Sequence, residues 1–316
     1  MTFKLYKNYL LTIIFIITII CISFYQYMEP RFSKEEYEFY NTIEKECKVD
    51  QNKKICQENG IVDLQAYNAE MEYDARERRK SLDTITLSSE IIENCLFSIS
   101  GVVMPLFVVI LVILSLNDEI KSGLYQNILL RKEYKKYLKE KLKNILGISL
   151  IYPLSISFIV LVSCIITNFN FNISTYNKGL AVYNAFKENN YLLYFLSTCI
   201  FTYLSCILYG LIAFICYIKE KTAPVAITKA YLLCIVIAFL DYYIIGYIIL
   251  NVLLGDVIHV SNFNILGYSQ LGKTPNLSVI LFNLIILCLF PLIYIIKKYR
   301  KKEDFYEEIE RQTANI

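Results

Sequence analysis

The chain has 316 residues, of which 56% are hydrophobic and only 19% charged, with a mean hydropathy of +0.43. Soluble domains are about 45–50% apolar and about 25% charged, so this balance argues against a soluble oxidoreductase, a nucleic-acid binder or a disordered scaffold. A formal net charge of +3 is too small to call for a polyanionic partner, and a single histidine, His259, excludes a His-rich metal site or a His–His relay.

The apolar residues fall in blocks. Crossing a bilayer core of about 30 Å takes roughly 20 residues of helix, because in lipid the backbone must satisfy its own hydrogen bonds. Six stretches meet that length: residues 10–27, 95–116, 145–166, 191–217, 231–250 and 277–296. They predict an all-α membrane protein with six transmembrane helices. The first stretch follows a short tail, residues 1–9, in which Lys4 and Lys7 imitate a signal peptide. It ends at residues 25–30 without a small-residue cleavage site and reads as a retained anchor.

Residues 28–94 hold more acidic than basic side chains and predict a helical outer domain. Tyr37, Tyr40 and Ile43 stand near helical spacing, residues 64–82 are rich in helix formers, and Asn52 and Asn59-Gly60 signal a turn between them. So few residues bury a marginal core, so the hairpin should lean on the bundle or on a partner. Cys47 and Cys56 flank the turn. Either they form a disulfide, contributing about 2–3 kcal/mol by closing a short loop, or they are two free thiols. The other eight cysteines lie in or beside apolar runs and read as small buried side chains.

The link at residues 117–144 is amphipathic in two halves. Ile120, Leu124 and Ile128 recur every four residues and share one helical face. Tyr134, Leu138 and Leu142 form a second stripe among Lys135, Lys136, Lys139 and Lys143. Two short helices on the inner surface are expected, either lying on anionic headgroups with their lysines snorkelling or docking a partner.

Basic residues number two in the N-terminal tail, eight in the link, three in residues 219–229 and six after residue 296. The short loops of the other side hold Lys178 and Lys187, and Lys273. The positive-inside rule then puts both termini in the cytoplasm. With no tryptophan in the chain, tyrosines such as Tyr9, Tyr25, Tyr27, Tyr191, Tyr217, Tyr231 and Tyr294 supply the interfacial belt.

Asp241 is the acidic residue near the middle of a predicted span, where an ionised carboxylate costs about 2.5–3.5 kcal/mol on insertion scales. It marks either a polar pathway or a hydrogen-bonded packing contact with Tyr242, Tyr243 or a neighbouring helix. The run Gly267-Tyr-Ser-Gln-Leu-Gly-Lys-Thr274 fits the pattern of a phosphate-binding loop at every fixed position. That loop needs a strand before it and a helix after it within a nucleotide-binding domain; here Pro275 and a span follow at once, so the match reads as accidental. There is no HExxH, no G-x-S-x-G and no pair of mid-span aspartates, so no catalytic constellation is expected.

The stretch Glu119-Ile-Lys-Ser-Gly123, continuing through Leu129-Leu-Arg131 to Lys141-Leu142 directly after the second span, resembles the membrane subunit of type-2 ABC exporters. In that family this stretch forms a coupling helix that docks into a separate ATPase. The resemblance implies roles in coupling for Glu119, Gly123 and Arg131, with Ile120, Leu124 and Ile128 as the docking face. It also implies a permease that binds no ATP, Mg or other cofactor itself, and partners consisting of an ABC ATPase, a second permease subunit and the lipid bilayer, with no nucleic acid. Peptides, bacteriocins, drugs and lipid-linked molecules are the implied substrates, and a bacterial cytoplasmic membrane the implied location. The short N-terminal tail and the long outer domain depart from many members. The alternative is a non-transporting sensor or immunity protein whose outer domain binds a peptide.

Overall fold

The computed structural model describes residues 3–28, 82–92, 100–121, 133–173, 189–220, 222–244 and 276–301, together with residues 247, 303, 305, 307 and 308. Every regular element among the described residues is a helix: α1 (Phe3–Met28), α2 (Thr84–Ile91), α3 (Ser100–Lys121), α4 (Tyr134–Ser149), α5 (Ile151–Ile166), α6 (Tyr191–Lys219), α7 (Ala223–Leu240) and α8 (Leu277–Lys298). Four stretches are long and apolar enough to cross a membrane: Tyr134–Ile166, which joins α4 to α5, then α6, Ala223–Ile244 and α8. The chain is a helical membrane protein.

Helix α6 is the axis of the bundle. It packs on α3, α4, α5, α7 and α8. Its most apolar window is 67% buried, against 28% for those of α7 and α8, so it is screened by protein while they face outward. Ser197, Thr198, Thr202 and Ser205 are buried on it. Each donates to the carbonyl four residues earlier at 2.5–2.9 Å, which satisfies the hydroxyl within its own helix. Gly210 is fixed by close approach: a Cβ there would sit 2.5 Å from Ile145 Cγ2 of α4 and 3.6 Å from Val112 Cγ2 of α3.

Sequence signals explain the ends. Asp83 caps α2, its carboxylate accepting from the Thr86 backbone N–H at 2.7 Å and the Thr86 hydroxyl at 2.9 Å. Asn276 caps α8 through Val279 N–H at 3.3 Å. Pro224, which has no N–H to lose, lies in the first turn of α7. Pro153 cannot donate to Ser149, and the long stretch Tyr134–Ile166 breaks at Leu150, four residues after Leu146.

Five boundaries differ from the sequence reading. The second span, predicted to end at residue 116, runs to Lys121 as α3 and takes Glu119 and Ile120 from the link. The tail at residues 1–9 is helical from Phe3, as the start of α1. The second lysine-flanked helix of the link does not stop near Leu142 but runs to Ser149 and joins the third predicted span, since no breaker intervenes before Pro153. The fifth predicted span, α7, begins at Ala223, eight residues before the predicted 231, because Pro224 opens it and Lys229 reaches back to Glu220 instead of ending the span. Residues 84–91, assigned to the outer domain, form a buried helix packed on α1 and α5.

Candidate functional site

One end of the bundle gathers the basic residues. The last turn of α6 meets α3 there, Tyr217 donating to Asn117 Oδ1 at 3.5 Å, and meets the end of α8, Lys219 Nζ lying 4.8 Å above the Tyr294 ring. Helix α4 joins them as Tyr134 donates to the Tyr299 carbonyl at 2.9 Å. Phe305 seals the junction, with ring centroids 5.7 Å from Tyr134 and 6.0 Å from both Tyr137 and Tyr299. Burial pushes the Tyr299 phenol above its ordinary range, and the Glu308 carboxylate adds to the effect. Lys135, Lys136, Lys139 and Lys143 stand exposed around this end, with Lys297 and Lys298 in the last turn of α8 and Arg300 and Lys301 on the chain that leaves it.

Glu119 and Lys141 lie inside that end. They form an ion pair between the last turn of α3 and the middle of α4, with each side chain only 11% exposed. The Tyr137 hydroxyl hydrogen-bonds Glu119, and Lys141 Nζ stands 5.1 Å from the Tyr137 ring centroid. The pair therefore ties together the two helices that enter and leave residues 122–132. Ile120 is buried in the core beside it rather than standing on an outer face. The remaining coupling residues, Gly123, Leu124, Ile128 and Arg131, lie outside the described residues.

Asp241 is buried at the end of α7, where the helix widens into π geometry over residues 241–244. Asn283 of α8 donates from Nδ2 to both carboxylate oxygens, at 3.0 and 3.1 Å. Asn283 stands six residues into α8, about 9 Å below its start, so the pair sits toward the end opposite the lysines. The expected partners Tyr242 and Tyr243 instead meet edge to face, with centroids 5.0 Å apart. A lone amide in an otherwise apolar span was the available sign of Asn283.

The opposite end is held by hydroxyls. Thr84 and Thr167 hydrogen-bond at 2.6 Å, and Ser88 and Tyr191 at 2.6 Å, which pins α2 against the ends of α5 and α6. The chain leaves α5 through Asn168 and Phe169 with φ of 50° and 57°, and Asn170 then donates to the Leu82 carbonyl at 3.3 Å. Among the described residues this end has acidic residues but no lysine or arginine.

Seven cysteines among the described residues are free thiols, and no group of three metal-ligating side chains occurs among those residues. Cys47, Cys56, His259 and the Gly267–Thr274 run lie outside the described residues. The chain matches no protein-family model, no curated protein and no solved structure.

Proposed function

We propose that this chain is the permease subunit of an ATP-driven exporter of the type-2 ABC class. The reading places α1 and α3 across the membrane beside the four apolar stretches, giving six spans. The lysine-rich end is then cytoplasmic, in keeping with the concentration of basic residues there and their absence from the described residues of the other end. The protein binds no nucleotide itself. A separate ATPase docks on the segment that follows Lys121, residues 122–132, and a second permease completes the substrate pathway in the bacterial cytoplasmic membrane.

The observation that carries the reading is the clamp at the mouth of residues 122–132. In the resemblance, this segment is the one that contacts the ATPase. A coupling element transmits motion only if its ends are fixed to the spans it must move, since transmission by rigid bodies requires a firm junction. The Glu119–Lys141 pair, with the Tyr137 hydroxyl on Glu119, supplies that junction between α3 and the long α4–α5 unit. Asp241 serves this mechanism as a packing tie between α7 and α8. Co-purification of an ABC ATPase with the full chain, and ATP hydrolysis stimulated by a transported peptide or drug, test the reading. A permease that purifies alone from cells expressing the ATPase, with no stimulated hydrolysis, overturns it.

A further inference from the structure

Helix α4 and its continuation α5 present one exposed line that changes character once. Lys135, Lys139 and Lys143 follow at steps of four, and the same line continues through Leu146, Leu150 and Leu154, all exposed. From Leu146 to Ile166 there are 20 residue steps, about 30 Å of helix, which equals the hydrocarbon thickness of a bilayer. The change from lysine to leucine therefore lies at the boundary between headgroups and acyl chains. Lys136 flanks the line; the carboxylates of this segment that reach solvent are Glu133, exposed, and Glu140, partly exposed. Gly147 keeps the surface shallow just below the boundary, since a Cβ there would meet nothing within 4 Å. The opposite face of α4 is already occupied, with Tyr137, Ile145 and Ile148 in the core.

We propose that this face of α4 is a binding site for anionic phospholipid, the headgroup phosphate held by Lys135, Lys136, Lys139 and Lys143 and the acyl chain laid along Leu146, Leu150 and Leu154. The charge complementarity and the unbroken passage from cationic to apolar surface fit a lipid along its whole length. A water-soluble partner would meet only the lysine half. The assignment is independent of the exporter reading, because it uses only the exposed surface of a helix that spans the membrane.

The absence of tryptophan from the chain makes the test direct. Leu146→Trp introduces a single emitter at the boundary. The full-length variant is reconstituted in vesicles that mix phosphatidylglycerol and phosphatidylcholine, with one or the other brominated. Quenching then gives the relative affinity of the two lipids at that position. The expected result is a preference for phosphatidylglycerol of about three- to tenfold at low ionic strength, weakening with salt. The preference should vanish when the four lysines become glutamine. Phe282→Trp, exposed near the other end on α8, should show no preference. Leu150→Trp reads the same line if Leu146→Trp does not fold. Equal quenching by both lipids with the lysines intact, or a preference that survives their removal, overturns the assignment. So does loss of ATPase co-purification on removing the lysines without any change in lipid preference.

Discussion

The Glu119–Lys141 pair can be taken apart in both directions, and the structure sets the size of the response. Each side chain keeps about a tenth of its surface, so removing one partner leaves a nearly buried charge with little water to replace the lost attraction. Breaking buried pairs in this way costs about 3–5 kcal/mol, and the residual exposure places this pair near the lower figure, at about 3 kcal/mol. Glu119→Leu and Lys141→Met should each destabilise the protein by that amount. The double variant should recover most of it, because two apolar side chains replace two desolvated charges at similar volume. Unfolding in mixed micelles of increasing SDS fraction, followed by far-UV circular dichroism, supplies the four free energies of the cycle. Additive single effects below about 0.5 kcal/mol would show the pair to be a surface contact and would remove the clamp from the account.

Gly210→Leu should destabilise the bundle by about 1–3 kcal/mol in the same assay, because the methyl of Ile145 occupies the space a side chain needs; wild-type stability would contradict the close approach. Asn283→Leu strips the Asp241 carboxylate of both its hydrogen bonds and should cost about 1–3 kcal/mol, while Asp241→Asn, which keeps an acceptor, should cost less; the reverse order would give Asp241 a role beyond packing. On the proposed function, Lys273→Ala should leave ATP binding and ATP-dependent transport of the complex with the ATPase near wild type, and loss of nucleotide binding by the purified chain would overturn both the proposed topology and the proposed class. Mass spectrometry of unreduced peptides should find Cys47 linked to Cys56 if the outer turn is bridged, whereas two alkylatable thiols in intact cells would reject the bridge.

The parts legible in the sequence were those set by local sums. Hydropathy over 20 residues located α6 and α8 to within two residues at their C-terminal ends, because nothing in either run offers another reading. The start of α7 is hidden from hydropathy because Lys229 reads as a loop charge, although Pro224 is a helix-start signal and a lysine near a span end can extend toward water. The cap of α2 was equally readable, since Asp83 precedes a short run of buried residues, but the acidic surroundings drew it into the outer domain. Contacts between distant positions were not legible. Glu119 and Lys141 are 22 residues apart, and Asp241 and Asn283 are 42 apart. Only the packing of helices around α6 brings each pair together. The two readings of the link, lipid and partner, competed for the same residues in sequence. In the structure the lysine line belongs to a helix continuous with a span, and Glu119 and Ile120 belong to the end of α3.

The central claim is that the segment following α3, residues 122–132, docks an ATPase, and Gly123→Leu tests it most directly. Leucine adds apolar area, so it favours a helix that merely lies on lipid, but it blocks the close backbone approach that a docked glycine permits. Overpacking of this kind costs about 1–3 kcal/mol, which corresponds to a weakening of assembly by roughly 5- to 150-fold. The measurement is titration of the purified ATPase against vesicles carrying the full-length variant, read as both bound ATPase and substrate-stimulated hydrolysis. The account predicts normal expression and membrane insertion with ATPase affinity reduced by that factor and coupled hydrolysis lost. Wild-type affinity and coupled hydrolysis in the Gly123→Leu protein would contradict it.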